Sequence, residues 1–258
     1  MIKIFSVGNS FAEDAHRWLP DICAADGVEV KAVNPFIGGQ TFRRHLRAIE
    51  AGTEYELLID SMRVGKNTTF MDALNADTWD IFTFNQGSVQ SGMPHEYYPS
   101  LNEIYEIVHR QSPNAKPYIF QTWAYEYDAD HPYFCYYAND QQEMYRRSRE
   151  CYELASRMLN APVIPAGEVI QYLRENEPLF DYRGGKGMSL NRDGYHLDYL
   201  YGRYAVALTW YAVLFGGDAL ANTFVPHLDG VETDMEKIEV IRHAVKKIVD
   251  RGFVIEEV

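Results

Sequence analysis

Three side chains in this sequence can combine into nucleophilic chemistry. Ser10 stands in Gly8-Asn9-Ser10-Phe11, and Asp193 and His196 stand in Asp193-Gly194-Tyr195-His196. A serine hydroxyl is a weak nucleophile at neutral pH and needs a base, and imidazole titrates in the right range. The imidazole in turn needs a carboxylate on its other nitrogen, to fix its tautomer and to stabilise the imidazolium that forms. An aspartate and a histidine three residues apart, with glycine between them, can meet within a single turn. Each motif also has an ordinary use. Ser10-x-x-Glu13 has the spacing of a capping box, and Asp193 can cap the helix that begins near Asp198.

Attack on an acyl carbonyl creates an oxyanion, which needs donors. The backbone N–H of Ser10 is one candidate, because it lies near a helix N-terminus. Gly39, in Asn34-Pro35-Phe36-Ile37-Gly38-Gly39-Gln40-Thr41, is a second, since glycine lets a backbone N–H approach a reacting centre closely. In Asn85-Gln86-Gly87-Ser88 a side-chain amide supplies a third, from either Gln86 or Asn85. Both glycine segments are also common turn chemistry. Residues 118–137 are rich in aromatic rings, and Trp123 and Tyr125 are candidates to line a substrate pocket, with Asn9 beside the nucleophile.

Other motifs carry less. Asp128, Asp130 and His131 lack a second histidine at ligand spacing, so no metal site is expected. Arg183-Gly-Gly-Lys-Gly-Met-Ser189 departs from the phosphate-loop pattern and reads as a flexible loop feeding Asp193. There is no dinucleotide fingerprint, and no cofactor is expected.

These residues need a frame. Ile2–Val7, Val28–Val33, Trp79–Phe84, Pro117–Trp123 and Ala161–Pro165 read as five buried strands. Between and after them, residues 12–26, 41–51, 99–111, 139–160, 198–215 and 235–251 carry helical spacing. Strands separated by helices require crossover connections and a parallel sheet with helices on both faces. Ligands in such sheets sit beyond the carboxyl ends of the strands, where Ser10, Gly39, Asn85-Gln86 and Trp123 all fall. Residues 53–78 fit the alternation poorly, and Glu54–Asp60 reads as an extra strand in a hairpin-like insertion.

The bulk properties set bounds. With 258 residues, 47% hydrophobic and 24% charged, the chain suits one globular domain, residues 1–258. A net charge of −13 repels phosphate backbones and anionic membranes, so neither is an expected partner. Three cysteines without metal or redox spacing, and the lack of a leader-like or membrane-length apolar run, fit a reduced, cytoplasmic setting. Glu256-Glu257 reads as a solvated acidic tail.

The order Ser, Gly, Asn/Gln, Asp-x-x-His along the chain resembles the four sequence blocks of the SGNH (GDSL-like) hydrolase superfamily. Gly8-Asn9-Ser10-Phe11 is similar to its first block, Asn34-x4-Gly39-x-Thr41 to its second and Asp193-x-x-His196 to its last. The likeness spans about residues 2–215, and within the superfamily the chain resembles a bacterial branch of unknown-function domains near the carbohydrate esterases. Asn9 replaces the usual first-block aspartate, and Gly87 follows the amide pair instead of preceding it. The resemblance implies a three-layer α/β/α sandwich around a central, mostly parallel five-stranded sheet, the flavodoxin-like SGNH fold. It implies Ser10 as nucleophile and oxyanion donor, Gly39 as second donor, His196 as base and Asp193 as its orienter. The expected activity is hydrolysis of small acyl esters, acetyl above all, on a carbohydrate. The rivals are a lipase- or thioesterase-like hydrolase of longer chains and a carbohydrate-binding protein with a relic triad.

Overall fold

The computed structural model describes residues 1–254, so the Glu256-Glu257 tail lies outside the described residues. Its sheet has seven strands where the sequence predicts five. The five read from apolar runs form its parallel part: β1 (Ile2–Val7), β2 (Val30–Phe36), β5 (Ile81–Phe84), β6 (Lys116–Phe120) and β7 (Val163–Ile164). The other two, β3 (Glu54–Ile59) and β4 (Met62–Thr69), form a hairpin antiparallel to β2, giving the order β4-β3-β2-β1-β5-β6-β7. β4 escapes a periodicity search because it is an edge strand. Its first six residues are exposed, so burial imposes no alternation on them.

The parallel strands are apolar at nearly every position because both faces are covered. Ile4, Ala32, Ile81, Phe120 and Ile164 point to one face. There they meet α1 (Ser10–His16), α2 (Leu19–Ala25), α7 (Ala166–Asn176), α8 (Tyr201–Phe215) and α9 (Met235–Arg251). Their neighbours Phe5, Val33, Phe82, Ile119 and Val163 point to the other. That face is covered by α3 (Phe42–Ala51), α4 (Phe70–Asn75), α5 (Ser100–Gln111) and α6 (Gln141–Leu159). The stretch 12–26, which reads as one helix, is two. Pro20 cannot donate to the His16 carbonyl, so the chain restarts with proline in the first turn of α2, where no donor is needed. α7 is absent from the helices expected above, although Ala166, Val169, Ile170 and Leu173 stand at i, i+3, i+4 and i+7 and are all buried, beside the polar Glu168, Gln171 and Arg174. Among the described residues no helix is long and apolar enough to cross a membrane, and Cys23, Cys135 and Cys151 are free thiols.

Two fully buried histidines make the fold sensitive to acid. The Nε2 of His16 hydrogen-bonds with the Ser6 hydroxyl at 2.9 Å, and burial lowers its pKa to about 3. His45 lies under the nucleophile loop, its Nε2 2.9 Å from the Gly8 carbonyl and its Nδ1 3.1 Å from the Tyr55 hydroxyl. Burial lowers its pKa to about 4, with the Gly8 bond opposing the shift. Both rings fold neutral. Their contribution is therefore complete above the unfolded value near 6.5 and is lost as pH falls from there towards 4 and 3, because the unfolded chain binds protons that the folded one refuses. Urea unfolding is expected to show a loss of about 3 kcal/mol between pH 6.5 and 5.0, roughly halved in His45→Gln. A pH-independent stability over that range would contradict it.

Candidate active site

Ser10 is the first residue of α1, directly beyond the carboxyl end of β1. Asn9 caps the helix, its Oδ1 accepting the Phe11 amide at 3.0 Å, so the Ser10 hydroxyl is not spent on capping and Ser10-x-x-Glu13 is not a capping box. Asp193 is also relieved of a capping role. Asp198 takes the amides of Leu200, Tyr201 and Gly202 at the start of α8, at 2.5–3.0 Å.

Asp193 and His196 sit at the tip of a tight hairpin. Asn191 and Leu197 pair across it, the Arg192 amide donates to the His196 carbonyl at 2.9 Å, and Gly194 makes the bend at φ +85°. Asp193 Oδ1 accepts the amides of Tyr195 and His196 at 3.2 and 2.7 Å, which leaves Oδ2 facing the ring, 2.7 Å from His196 Nδ1. A carboxylate only accepts, so Nδ1 carries the proton and Nε2 is the lone-pair nitrogen. Nε2 lies 2.9 Å from Ser10 Oγ, which donates to it. Burial pushes the Asp193 carboxyl upward, but the hydrogen bonds from His196 and Tyr195 outweigh it and hold the group below the usual carboxylate range. Ser10, His196 and Asp193, spread over 187 residues of sequence, thus form one chain of contacts that can pass a proton from hydroxyl to imidazole.

The surrounding loops correct several expectations. Asn9 is 1% exposed, and its Nδ2 donates to the carbonyls of Gln40 at 3.0 Å and Gln86 at 3.2 Å. It ties three strand-end loops together and does not line a pocket. Gln86 is fully buried. Its Oε1 accepts the amides of Phe42 and Gly87 at 3.1 and 3.0 Å, and its Nε2 donates to the Glu96 carbonyl at 3.0 Å. Asn85 Nδ2 donates to Asn9 Oδ1 and to the Gln86 carbonyl, at 3.2 and 3.4 Å. Contrary to expectation, both residues are buried, Asn85 1% and Gln86 0% exposed, and the bonds they make brace the strand-end loops around the nucleophile. A Cβ at Gly8 would fall 2.5 Å from Asn85 Oδ1, so these loops close on each other only around glycine. Of the expected oxyanion donors, the Ser10 N–H has no acceptor within its own helix, and Gly39 lies on an exposed turn beside Gln40, whose carbonyl is held by Asn9.

Trp123 and Tyr125 also differ from expectation, being 1% and 0% exposed. The Trp123 ring stacks on Phe11 at 4.2 Å, and its Nε1 donates to the Tyr195 carbonyl at 2.7 Å, so it supports both halves of the site from beneath. The Tyr125 hydroxyl pairs with Ser88 Oγ at 2.8 Å, and burial pushes its pKa up. A run of ring contacts instead leads outward from His196 to solvent. Tyr195 lies 4.5 Å from the His196 ring, His131 lies 5.2 Å from Tyr195, Tyr133 lies 5.9 Å from His131, and Tyr136 stacks on Tyr133 at 5.7 Å. Tyr133 and Tyr136 are each 51% exposed. Composition marks the 118–137 segment as aromatic, but only the loop's path shows which rings face out. Among the described residues no group of three His, Cys, Asp or Glu is placed to hold a metal ion. A cavity of about 770 Å³ lies elsewhere, over α6 and α7. Its lining pairs Arg149 with Glu168 at 3.0 Å and contains no nucleophile and base in contact.

A family model described as a domain of unknown function (DUF4886) matches residues 3–246. No curated protein matches the sequence. The structure is similar to a DUF4886 family protein from Bacteroides uniformis, with TM-score 0.82 and 29% identity over 96% of this chain and 94% of that one. It is also similar to a putative SGNH hydrolase from Slackia heliotrinireducens (TM-score 0.55, 20% identity, 83% of this chain and 98% of that one). A third likeness is to a catalytic mutant of an acetylxylan esterase from Geobacillus stearothermophilus (TM-score 0.53, 11% identity, 88% and 97%). The fold is that of SGNH hydrolases.

Proposed function

The chain belongs to the DUF4886 family, and from the contacts within it we propose that it is a serine esterase with Ser10 as nucleophile. The observation that carries the proposal is the chain Ser10 Oγ, His196 Nε2, His196 Nδ1, Asp193 Oδ2, with gaps of 2.9 and 2.7 Å. His196 takes the serine proton as Oγ attacks the acyl carbonyl. The N–H groups of Ser10 and Gly39 hold the oxyanion. Collapse of that intermediate breaks the ester bond, and His196 returns the proton to the departing alcohol. A water molecule, deprotonated by His196, then releases the acid from the acyl-enzyme.

The alcohol side of the substrate is assigned to a carbohydrate and the acyl group to acetyl. The His196 side chain is 21% exposed and that of Asp193 38%, so the site is open to a bulky leaving group. The ledge of Tyr195, His131, Tyr133 and Tyr136 offers flat rings with polar edges, which suit sugar faces better than a long acyl chain. Labelling with a fluorophosphonate probe tests the nucleophile. One adduct, mapped to Ser10 and suppressed in His196→Ala, is expected, and an unlabelled but folded parent would overturn the reading. For the ledge, Tyr133→Ala with Tyr136→Ala is expected to lower kcat/KM on an acetylated oligosaccharide about tenfold relative to a small aryl acetate. An unchanged ratio would remove the ledge from substrate binding.

A further inference from the structure

One buried carboxylate outside the triad joins its two halves. Asp14 lies on α1, four residues beyond Ser10 and therefore one turn along the same side of the helix. It is fully buried. Its Oδ2 accepts the amide of Leu197, the residue that follows His196, at 2.9 Å. Its Oδ1 accepts from Arg203 Nε on α8 at 2.7 Å and from Arg192 Nη1 at 3.1 Å. Arg192 belongs to the hairpin that carries Asp193 and His196. Its amide bonds the His196 carbonyl, and its guanidinium also donates to the Leu197 carbonyl. The Tyr199 ring lies 4.8 Å from the Arg192 guanidinium and 4.9 Å from that of Arg203.

Both sides of the hairpin are therefore fastened to the helix that begins with Ser10. A buried carboxylate tolerates little displacement from its cations and amide, since losing any of them leaves charge uncompensated. We propose that Asp14 is a positioning residue that sets the distance between Ser10 Oγ and His196 Nε2 by clamping the catalytic hairpin to α1. The proposal rests on the esterase reading for its kinetic consequence, but the clamp itself is a structural property with its own signature.

The test compares the parent with Asp14→Asn and Arg192→Gln, and with Ile241→Ala, a core truncation on α9 remote from the hairpin, as a control for lost stability. Two quantities are read below each variant's unfolding midpoint. One is kcat and KM on an aryl acetate. The other is the low-field proton NMR signal of the His196 Nδ1–H bonded to Asp193. Both clamp variants are expected to lower kcat by roughly 10- to 100-fold at unchanged KM, the cost of a misplaced reacting group, and to broaden or erase the signal. Ile241→Ala is expected to keep both. If the clamp variants retain the parent kcat and signal, or if Ile241→Ala loses as much, Asp14 is only a structural residue and the proposal falls. If Asp14→Asn does not fold, Arg192→Gln carries the test, because that side chain is 22% exposed. A parent that shows the signal and turns over no ester refutes the esterase reading alone, and the signal in the variants then decides the clamp.

Discussion

Replacing Ser10 by alanine is expected to lower kcat for ester hydrolysis by about 10⁶-fold, the scale seen when an activated serine is removed from a triad. The substitution isolates chemistry from folding. Asn9, not Ser10, accepts the Phe11 amide at the start of α1, so the helix keeps its cap. Alanine also suits the first turn, and unfolding free energy should stay within about 0.5 kcal/mol of the parent. Residual rate should come from the proposed oxyanion donors, the N–H groups of residues 10 and 39, which the substitution leaves in place. Steady-state kinetics on an aryl acetate, with urea unfolding of the same preparation, read both quantities. Retention of a substantial rate would place the nucleophile elsewhere.

Asp193→Asn is expected to lower kcat by about 10⁴-fold with KM little changed. An asparagine oxygen can still accept the Tyr195 and His196 amides, as Asp193 Oδ1 does at 3.2 and 2.7 Å, so the hairpin tip persists. What changes is the atom facing Nδ1. An amide nitrogen there donates instead of accepting, which drives the imidazole proton to Nε2, the atom that must receive the Ser10 proton. The imidazolium formed on attack also loses its counter-charge. If the variant kept most of its activity, the 38% exposure of Asp193 would mean that solvent orients the ring instead.

The elements that could be read from sequence are those whose signal is local. β1 and its handover to α1 follow from an apolar run closed by Gly8-Asn9. α9 follows from its period, and the Asp193-Gly194-Tyr195-His196 turn from its spacing. β4 leaves no such trace, because exposed edge residues are under no burial constraint. α7 does carry a local signal, Ala166, Val169, Ile170 and Leu173 at helical spacing, and so is within reach of the sequence although it is not among the expected helices.

Residue types divide in the same way. Hydroxyl, imidazole and carboxylate are chemistry written into single side chains, so Ser10, His196 and Asp193 stand out before any fold is known. An amide or an aromatic ring has no fixed role until its neighbours are known. Gln86 and Asn85 look like donors in the sequence, but in the structure they are buried and brace the backbone of Phe42, Gly87, Glu96 and Gln86 and the side chain of Asn9. Trp123 and Tyr125 look like pocket walls but pack inward, while Tyr127, Tyr133 and Tyr136, a few residues along the same excursion, are exposed.

Local sequence encodes the side chains that could react, the parallel α/β frame and the strand end at which Ser10 falls. Each of these follows from a side chain's own chemistry or from short-range periodicity. The tertiary structure alone decided which polar groups remain free after the loops have satisfied their buried backbone, and which rings face water. It alone brought Asp14 beneath the hairpin, since that contact joins residues 183 apart in the chain and no local pattern encodes it.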